Sequence, residues 1–264
     1  MSWTRRYDEA EPQRVNRWLA QNGVCSRREA EALIARGLVS IDGEVVSDAG
    51  RKIEAGQTLL LADDAQARPG GALSVLINKP VGVVSAQPEA GQVPAVRLLT
   101  RDALVGECAV IPDRDTRLAP VGRLDRDSRG LLLLSEDGVV AKAVIGPSSE
   151  IDKEYQVRVA GEITDRALGL LRHGLQLDGR RLRPAVVRRA GPQRLVFILT
   201  EGRNRQIRRM CDLVGLGVQD LLRVRIGPLH LGSLPEGRWR VLTAEERASL
   251  IAQSVSGNGR PGVG

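Results

Sequence analysis

The residues of this chain that are best suited to chemistry lie in the segment Gly122-Arg-Leu-Asp125, where a carboxylate stands between arginines at the mouth of an apolar strand. Because Arg123 and Arg126 flank Asp125, their positive charges should keep this carboxyl ionised at neutral pH. An ionised carboxylate suits a nucleophile or an electrostatic stabiliser better than a general acid. An ordinary loop salt bridge explains the same residues equally well. The pattern alone leaves both alternatives open.

The cysteines and histidines argue against several other kinds of catalytic site. Cys25, Cys108 and Cys211 are widely separated and form no C-x-x-C pair, and the only histidines are His173 and His230. A disulfide framework, a structural zinc site and a triad that depends on histidine are therefore not expected.

Positive charge is concentrated in one part of the chain. The formal net charge is +7, and residues 172–209 contain eleven arginines against two carboxylates, Asp178 and Glu201. Arginine favours forked contacts to phosphate, so this patch predicts a polyanionic partner, with a merely solvated basic face as the alternative. Aromatic residues make up only 2% of the chain. Base stacking would therefore come from individual residues such as Tyr155 rather than from a platform.

The elements at the N-terminus predict a small domain over residues 12–62. An apolar stripe at helical spacing ends at Gly23, and Ser26-Arg-Arg-Glu29 has the pattern of a capping box that starts a second helix. Two short strands then flank Asp42-Gly43, a pair typical of a tight type I′ turn. The predicted domain is thus a helical hairpin followed by strands.

This arrangement resembles the S4 RNA-binding domain over nearly its whole length. The resemblance implies that Arg27 and Arg28, at the start of the second helix, contact RNA phosphates together with free backbone amides. Exposed arginines without a ligand are the alternative.

The rest of the chain predicts a linker, a second domain and a tail. Residues 63–72 break every periodicity and are interpreted as a linker, residues 73–252 as a larger domain, and residues 253–264, rich in Gly, Ser and Pro, as a disordered tail. No secretory or membrane-spanning segment is recognised, so we expect a soluble cytoplasmic protein that does not bind membranes and is a monomer.

Strands dominate the larger domain. Strands are predicted at 73–77, 131–135, 154–159 and 195–199, and helices at 137–145, 164–172 and 204–215. This pattern indicates an α+β fold around a long, bent and mainly antiparallel sheet, with a cleft where loops from separate strands meet.

Four separated motifs could meet in that cleft, although each has an ordinary structural explanation when taken singly. They are Asn78-Lys-Pro-Val-Gly82, Gly122-Arg-Leu-Asp125, Lys153-Glu-Tyr155 and Arg203-Asn-Arg-Gln-Ile-Arg-Arg209. In this order behind an S4-like domain, they resemble the RsuA-type ribosomal pseudouridine synthases over about residues 12–247. Within that family the C-terminal motifs are most similar to the large-subunit synthase F branch.

The resemblance implies a uridine isomerase that needs no cofactor and no metal. Asp125 would be the catalytic carboxylate, which attacks the target uridine at the sugar C1′ or acts through a glycal route. Arg208 would pair with Asp125 and keep it charged. Tyr155 would stack on the base and assist removal of the proton from C5.

The resemblance also implies contacts to structured RNA. Ile207 would pack beside the base, and Arg123 would fill the gap left by the flipped nucleotide. Arg205, Arg208 and Arg209 are spaced to share one helix face, and Arg203, Arg205 and Arg209 are further predicted RNA contacts. Lys79 is expected either to contact phosphate or to support the loop architecture.

Alternatives remain for the substrate and for the activity. The expected substrate is 23S ribosomal RNA, and 16S ribosomal RNA or transfer RNA are the alternatives. A non-catalytic ribosome-assembly factor would need only the S4-like domain and the arginines. A carboxylate glycoside hydrolase would need a second acid of raised pKa, and the arginines around Asp127 should lower its pKa instead.

Overall fold

The computed structural model describes residues 3–22, 24–25, 27–62, 72–86, 88–113 and 116–256. The chain divides into two compact units. The first comprises residues 1–72 and 137–139, and the second comprises residues 73–136 and 140–264.

The N-terminal unit combines two short helices with short antiparallel strands. Its helices are α1 (Val15–Gln21) and α2 (Arg27–Ala35), and its strands are β1 (Trp3–Arg6), β2 (Gln13–Arg14), β3 (Val39–Ile41), β4 (Glu44–Val45), β5 (Lys52–Ile53) and β6 (Thr58–Leu61). Four strands form a sheet in the order β1-β6-β3-β4, and β2 pairs with β5. The predicted helical hairpin followed by strands is confirmed.

Local chemistry explains the turn and the core of this unit. Asp42 and Gly43 both have positive φ, 49° and 88°, as a type I′ turn requires. The apolar stripe of α1 is buried, and Trp18 packs edge-on against Tyr7 with ring centroids 5.5 Å apart. Trp18 meets Trp3 in the same way at 5.6 Å.

The N-terminal unit begins earlier than the sequence predicts, and some of its predicted features fall on residues that the structure does not describe. Strand β1 pairs with β6, so the unit includes residues before the predicted start at residue 12. Gly23, Ser26 of the proposed capping box and residues 63–71 of the proposed linker lie outside the described residues.

The second unit is built on a long sheet. Its strands are β7 (Ser74–Lys79), β8 (Ala119–Val121), β9 (Arg129–Ser135), β10 (Lys153–Ala160), β11 (Gln176–Leu177), β12 (Arg180–Arg181), β13 (Val186–Gly191), β14 (Arg194–Leu199), β15 (Gly217–Ile226), β16 (Leu229–His230) and β17 (Trp239–Val241). Seven of them follow the order β13-β14-β10-β15-β9-β7-β17, β8 joins β9 and β16 joins β15. Strands β11 and β12 form a separate hairpin.

Helices cover this sheet and complete its cores. They are α3 (Gly138–Ile145), α4 (Asp165–Arg172), α5 (Gln206–Leu213) and α6 (Ala244–Ser256), with 3-10 turns at Ala95–Leu98 and Arg101–Ala103. Residues of α4 and α5 share one buried core with β10 and β14, whereas α6 and the part of α3 from Val140 onward share another with β9. Because α6 continues to Ser256, residues 253–256 are helical rather than disordered as predicted; residues 257–264 lie outside the described part.

The sheet is mainly antiparallel, as expected, but its strands β9 and β15 run parallel. Gly130 of β9 lies opposite Arg223 of β15 and has φ +107°. A Cβ atom at this position would lie 2.4 Å from the carbonyl oxygen of Arg223. Only glycine permits this close approach, which places Arg223 against the start of β9.

Candidate active site

Three of the four sequence motifs meet in one cavity of the second unit. The cavity measures about 1030 Å³ and is lined by the loop between β8 and β9, by β10, and by the segment that leads into α5. Of the predicted site residues, the lining includes Asp125, Tyr155, Arg208, Arg123, Arg203, Arg205 and Ile207. The tertiary fold therefore brings together residues that are separated by up to 85 positions in the chain.

The remaining motif, Asn78-Lys-Pro-Val-Gly82, supports the loop that carries Asp125. The backbone amide of Gly82 donates to the carbonyl of Arg126 at 2.8 Å, and Nε of Arg126 donates back to the carbonyl of Gly82 at 3.2 Å. The buried Ser85 hydroxyl donates to the carbonyl of Leu124 at 2.7 Å and accepts from its amide at 2.9 Å. Both neighbours of Asp125 are thus fixed by hydrogen bonds.

Arg223 supports the same loop from inside the protein. Its side chain is only 1% exposed, and the guanidinium donates to the carbonyls of Leu131 at 2.7 Å, Gly122 at 2.9 Å and Arg123 at 3.4 Å. A planar guanidinium can span several carbonyls in a fixed geometry, which an ammonium cannot do. Arg223 therefore ties the loop to β9.

Of the two roles predicted for Lys79, contact with phosphate and support of the loop, the structure favours support of the loop. Its side chain is fully buried, and Nζ donates to the carbonyls of Pro80 at 2.9 Å and Val83 at 2.8 Å. Burial, and then the charge of Arg223, lower the pKa of Lys79 to about 8, against the opposing charges of Asp125 and Asp127. A buried ammonium cannot reach a phosphate, so the alternative that Lys79 supports the loop is the correct one.

The carboxylate of Asp125 has no hydrogen-bond or ion-pair partner among the described residues. It is partly exposed and lies on the cavity wall, and the adjacent Arg123 and Arg126 do not pair with it. The backbone amide of Ser128 donates to the carbonyl of Asp125 at 3.1 Å and closes a turn. The salt-bridge alternative for Asp125 is therefore wrong among the described residues.

The expected pair between Asp125 and Arg208 is replaced by a pair between Asp127 and Arg208. Nε of Arg208 lies 3.2 Å from Oδ2 of Asp127, and Nη2 donates to the backbone carbonyl of Asp127 at 2.7 Å. Nη2 of Arg208 also donates to the Ser128 hydroxyl at 3.3 Å. The tight turn after Asp125 presents Asp127 to α5, so the helix arginine meets the second carboxylate of the loop.

Arg205 holds Asp127 from the same side. Its two terminal nitrogens donate to the two carboxylate oxygens at 3.1 Å and 2.8 Å. Burial raises the pKa of Asp127, but the hydrogen bond from Arg205 and the charges of Arg208 and Arg205 outweigh burial and lower it. The low pKa also removes the raised-pKa acid that a glycoside hydrolase would need.

The three arginines that were predicted to share one helix face contact two different carboxylates. Arg205 precedes α5 in a left-handed conformation with φ 49°. Arg205 and Arg208 converge on Asp127, whereas Arg209 forms a forked pair with Asp178 at 3.0 Å and 2.6 Å. Arg209 is therefore committed to a protein carboxylate and does not line the cavity.

Arg203 is likewise occupied by protein groups. Its terminal nitrogens donate to the carbonyls of Leu177, Arg180 and Arg181 at 3.1, 3.1 and 2.8 Å, and its Nε lies 3.4 Å from Glu201. With these donors engaged, Arg203 anchors the β11–β12 hairpin, and its contact with RNA stays a prediction.

Tyr155 and Ile207 form the apolar side of the cavity. Tyr155 lies on β10 between Phe197 of β14 and Arg223 of β15, and its partly buried ring packs against the neighbouring cores. Ile207, in the first turn of α5, is 5% exposed. The ring of Tyr155 is therefore available to the cavity, while Lys153, two residues earlier on the same strand, is buried beside it.

Lys153 adds a second buried amine to this region. Its Nζ donates to the carbonyls of Ile151 at 2.9 Å and Val144 at 3.3 Å. Burial, followed by the charge of Arg223, lowers the pKa of Lys153 to about 8. Lys153 and Arg223 thus place buried positive charge at the cavity wall, in addition to that of the buried Lys79.

Sequence reasoning missed Ser85, Gly130 and Arg223 as contributors to the site. A signal existed for Arg223, since an arginine inside the apolar pattern Leu221-Leu-Arg-Val224 must be either exposed or held by buried acceptors. Gly130 within a strand pattern was a second signal for a close backbone approach. Nothing in the local sequence distinguishes Ser85 from an ordinary loop serine.

The predicted RNA contacts of the N-terminal unit can be located only in part. Arg27 is the exposed first residue of α2, and the side chain of Arg28 lies outside the description. Among the residues described, no cluster of three His, Cys, Asp or Glu side chains could hold a metal ion, and no helix is long and apolar enough to cross a membrane.

Comparison with known proteins decides the family. The RNA pseudouridylate synthase family matches residues 74–213, which include the cavity loop and all of α5. The chain belongs to the RNA pseudouridylate synthase family. The S4 domain family matches residues 13–59 of the N-terminal unit.

Similar proteins share both units of this synthase. An uncharacterized RNA pseudouridine synthase of Aquifex aeolicus is 33% identical, covering 90% of this chain and 93% of its own length. The dual-specificity RNA pseudouridine synthase RluF of Salmonella typhi is 34% identical, covering 90% and 78%. The ribosomal large subunit pseudouridine synthase B of Yersinia pestis is 38% identical, covering 87% and 72%.

A solved structure supports the same assignment. A pseudouridylate synthase crystal structure superposes with a TM-score of 0.61 at 26% identity and covers 90% of this chain and 99% of that one. The synthase is therefore an RNA-modifying isomerase that converts uridine to pseudouridine, with an S4 RNA-binding domain at its N-terminus.

Proposed function

We propose that this synthase modifies a uridine of large-subunit ribosomal RNA and uses Asp125 as its catalytic carboxylate. The observation that carries the catalytic assignment is the unpartnered Asp125 side chain on the wall of the 1030 Å³ cavity, within a loop whose neighbouring residues are all fixed. The ribosomal assignment is supported by the similarity to a ribosomal large subunit pseudouridine synthase.

In the first proposed route, a carboxylate oxygen of Asp125 attacks C1′ as the bond from C1′ to N1 breaks and N1 keeps the electron pair. The uracil then turns within the cavity. C5 forms a bond to C1′ as the carboxylate leaves, and the ring loses the C5 proton while N1 gains one. No electrons are exchanged with another reactant.

In the second proposed route, Asp125 removes a proton from C2′ as the bond from C1′ to N1 breaks, which leaves a glycal. C5 then bonds to C1′ as the protonated Asp125 returns the proton to C2′, and the ring loses the C5 proton while N1 gains one. A substrate carrying deuterium at C2′ distinguishes the routes, since only proton abstraction breaks that bond. A slowed reaction favours the glycal, and an unchanged rate favours direct attack.

The other cavity residues have complementary roles in this proposal. The ring of Tyr155 stacks on the flipped base and assists removal of the C5 proton, and Ile207 packs beside the base. Arg208 acts through Asp127, because it holds the turn that presents Asp125. The exposed Arg123 fills the space that the flipped nucleotide leaves in the RNA.

The N-terminal unit would dock the RNA independently of the chemistry. Arg27 and Arg28 lie at the start of α2, where free backbone amides also favour phosphate. The proposal includes a cytoplasmic monomer that binds structured RNA and no membrane.

A second RNA substrate is a further candidate. A dual-specificity synthase is among the proteins similar to this chain, so the same cavity could accept a uridine from transfer RNA or from 16S ribosomal RNA.

Mapping of pseudouridine in cellular RNA tests this proposal. RNA from cells that lack the protein should miss at least one pseudouridine of large-subunit RNA, and a wild-type copy should restore it whereas Asp125→Asn should not. Restoration by Asp125→Asn would overturn the catalytic role. Loss of pseudouridine only from transfer RNA or 16S RNA would overturn the ribosomal large-subunit assignment.

A further inference from the structure

We propose that the arginine hairpin, residues 176–183, binds the phosphate backbone of the substrate RNA strand at the rim of the catalytic cavity, through Arg181 and Arg183. This inference rests on the proposed function, since it concerns the same RNA in the same cavity. The sequence predicted Arg203 and Arg209 as RNA contacts. In this proposal the RNA instead contacts Arg181 and Arg183, which belong to the hairpin that Arg203 and Arg209 hold in place.

The hairpin is fixed to the protein from two directions. Arg203 donates to the carbonyls of Leu177, Arg180 and Arg181. On the other side, Asp178, which has a positive φ of 55°, receives the forked pair from Arg209. These bonds order a short two-stranded hairpin that would be marginal by itself. A fixed hairpin presents its side chains with little entropy left to lose on binding.

A third attachment places the end of the hairpin at the cavity. The backbone amide of Arg183 donates to Oε1 of Glu201 at 3.1 Å, and the same carboxylate oxygen accepts from Gln206 at 3.0 Å. Gln206 is the first residue of α5, and it lines the cavity together with Ile207 and Arg208. Arg183 itself lines the cavity.

Side-chain direction puts Arg181 and Arg183 on one face. Leu182 between them is buried in the core beneath, and successive side chains of an extended segment point to opposite sides. Both arginines are exposed. Extended residues two apart are separated by about 6.6 Å, so the pair forms a short cationic track that leads into the cavity.

The charge of this track is not compensated within the described part of the chain. There, neither Arg181 nor Arg183 has a carboxylate within ion-pair distance, unlike Arg203, Arg205, Arg208 and Arg209. The adjacent exposed Arg180 adds a third positive charge. The cavity must admit a flipped nucleotide, and phosphates flank that nucleotide on both sides. Guanidinium groups at the rim of the cavity can bind these phosphates through forked hydrogen bonds.

The double variant Arg181→Ala/Arg183→Ala tests this inference, with Arg166→Ala/Arg188→Ala as its control. The control removes two other exposed arginines of the same unit, which do not line the cavity. On unmodified large-subunit ribosomal RNA transcribed in vitro, the hairpin variant should raise KM about tenfold or more and keep kcat within about twofold, because phosphate contacts position the strand. The control should keep both constants near wild type.

Binding to a fluorescent single-stranded oligouridine provides a readout that does not need catalysis. Loss of two phosphate contacts should make the negative slope of the logarithm of the binding constant against the logarithm of the salt concentration shallower by about 1.4. Arg181→Lys/Arg183→Lys, which keeps the charges, should restore most of the slope. Circular dichroism and urea unfolding should show wild-type folding for every variant.

Three results would overturn the inference: an unchanged salt slope and KM in the hairpin variant, equal effects in the control, or a fall in kcat alone. Inactivity of the wild-type enzyme on the ribosomal transcript would instead count against the proposed substrate. The salt slope would still decide the role of the hairpin in that case.

Discussion

The two walls of the cavity use charged residues in opposite ways. On the loop between β8 and β9, the backbone is held at Gly122, Leu124 and Arg126, and the side chain of Asp125 is left without a partner among the described residues. On the wall formed by residues 201–208, the arginine side chains are engaged with protein acceptors. One wall leaves a carboxylate free, and the other uses its charges for structure.

This difference shows that a charged motif does not by itself identify a ligand contact. A guanidinium with five donors is readily satisfied by carbonyls and carboxylates at a junction of loops. A carboxylate that accepts no bond within such a connected framework is more informative, because its charge remains available to a substrate.

The largest expected effect tests the reactive wall. Asp125→Asn is nearly isosteric but removes the negative charge, so we expect kcat of the purified enzyme to fall by at least about 10³-fold. RNA affinity should stay within about twofold of wild type. A single-turnover assay for pseudouridine, together with filter binding, measures both. Substantial turnover by this variant would show that the free carboxylate is not the catalyst.

The support beneath that wall is the next test. Arg223→Met fills a similar volume but leaves the carbonyls of Gly122, Arg123 and Leu131 without their donor. We expect kcat/KM to fall about 100-fold and the free energy of unfolding to fall by about 2 kcal/mol. Arg223→Lys should not restore activity, since one ammonium cannot span three carbonyls. Full activity of either variant would contradict a positioning role.

The contact between β9 and β15 can be broken without changing any charge. Gly130→Ala places a methyl group against the backbone of Arg223, so we expect a loss of about 3 kcal/mol in unfolding free energy. Gly174→Ala is the matched control, because Gly174 has a similar φ of +97° but no atom within 4 Å of the position that the added methyl group would occupy. Gly174→Ala should lower the unfolding free energy by only about 1 kcal/mol. If both variants lost the same unfolding free energy in urea, the positive φ of Gly130 would explain the whole effect, and the contact with β15 would contribute nothing.

The bridge between the two walls should have a smaller effect. Asp127→Ala removes the shared partner of Arg205 and Arg208 while Asp125 stays in place. We expect kcat/KM to fall about tenfold, because the turn loses its anchor but not its reactive group. Glu246→Ala is a control that removes the forked partner of Arg240 away from the cavity, and its kcat/KM should stay near wild type. A loss as large as that of Asp125→Asn would mean that the two carboxylates act together.

The smallest expected effect concerns the buried amine of Lys79. Its pKa is about 8 in the folded protein and 10.5 in its ordinary state, so above pH 8 the unfolded chain binds more protons than the folded one. Stability contributed by this group therefore rises with pH in that window. Between pH 8 and 9.5, the free energy of unfolding of the wild type should increase by on the order of 1 kcal/mol relative to that of Lys79→Met. Parallel pH profiles from urea unfolding would contradict a depressed pKa.

Much of the fold followed from local patterns. The predicted strands 131–135 and 195–199 and the helix 164–172 match the observed elements to within two residues, since apolar periodicity reports burial directly. Strand β15 was not predicted. Its buried and half-buried residues include Asp220, Arg223 and Arg225, whose charges mask the apolar pattern and are satisfied mainly by partners distant in the sequence.

The sequence by itself determined the family to which the motifs belong, and it predicted the loop acid Asp125 and the strand tyrosine Tyr155 as the residues that carry the chemistry. Only the tertiary structure decided which charges are free. Ion pairs and carbonyl contacts depend on distances of a few ångströms between segments such as 122–128, 176–183 and 203–209, and separation along the chain does not encode them. For that reason Arg208 meets Asp127, Lys79 is buried, and Arg181 and Arg183 remain exposed.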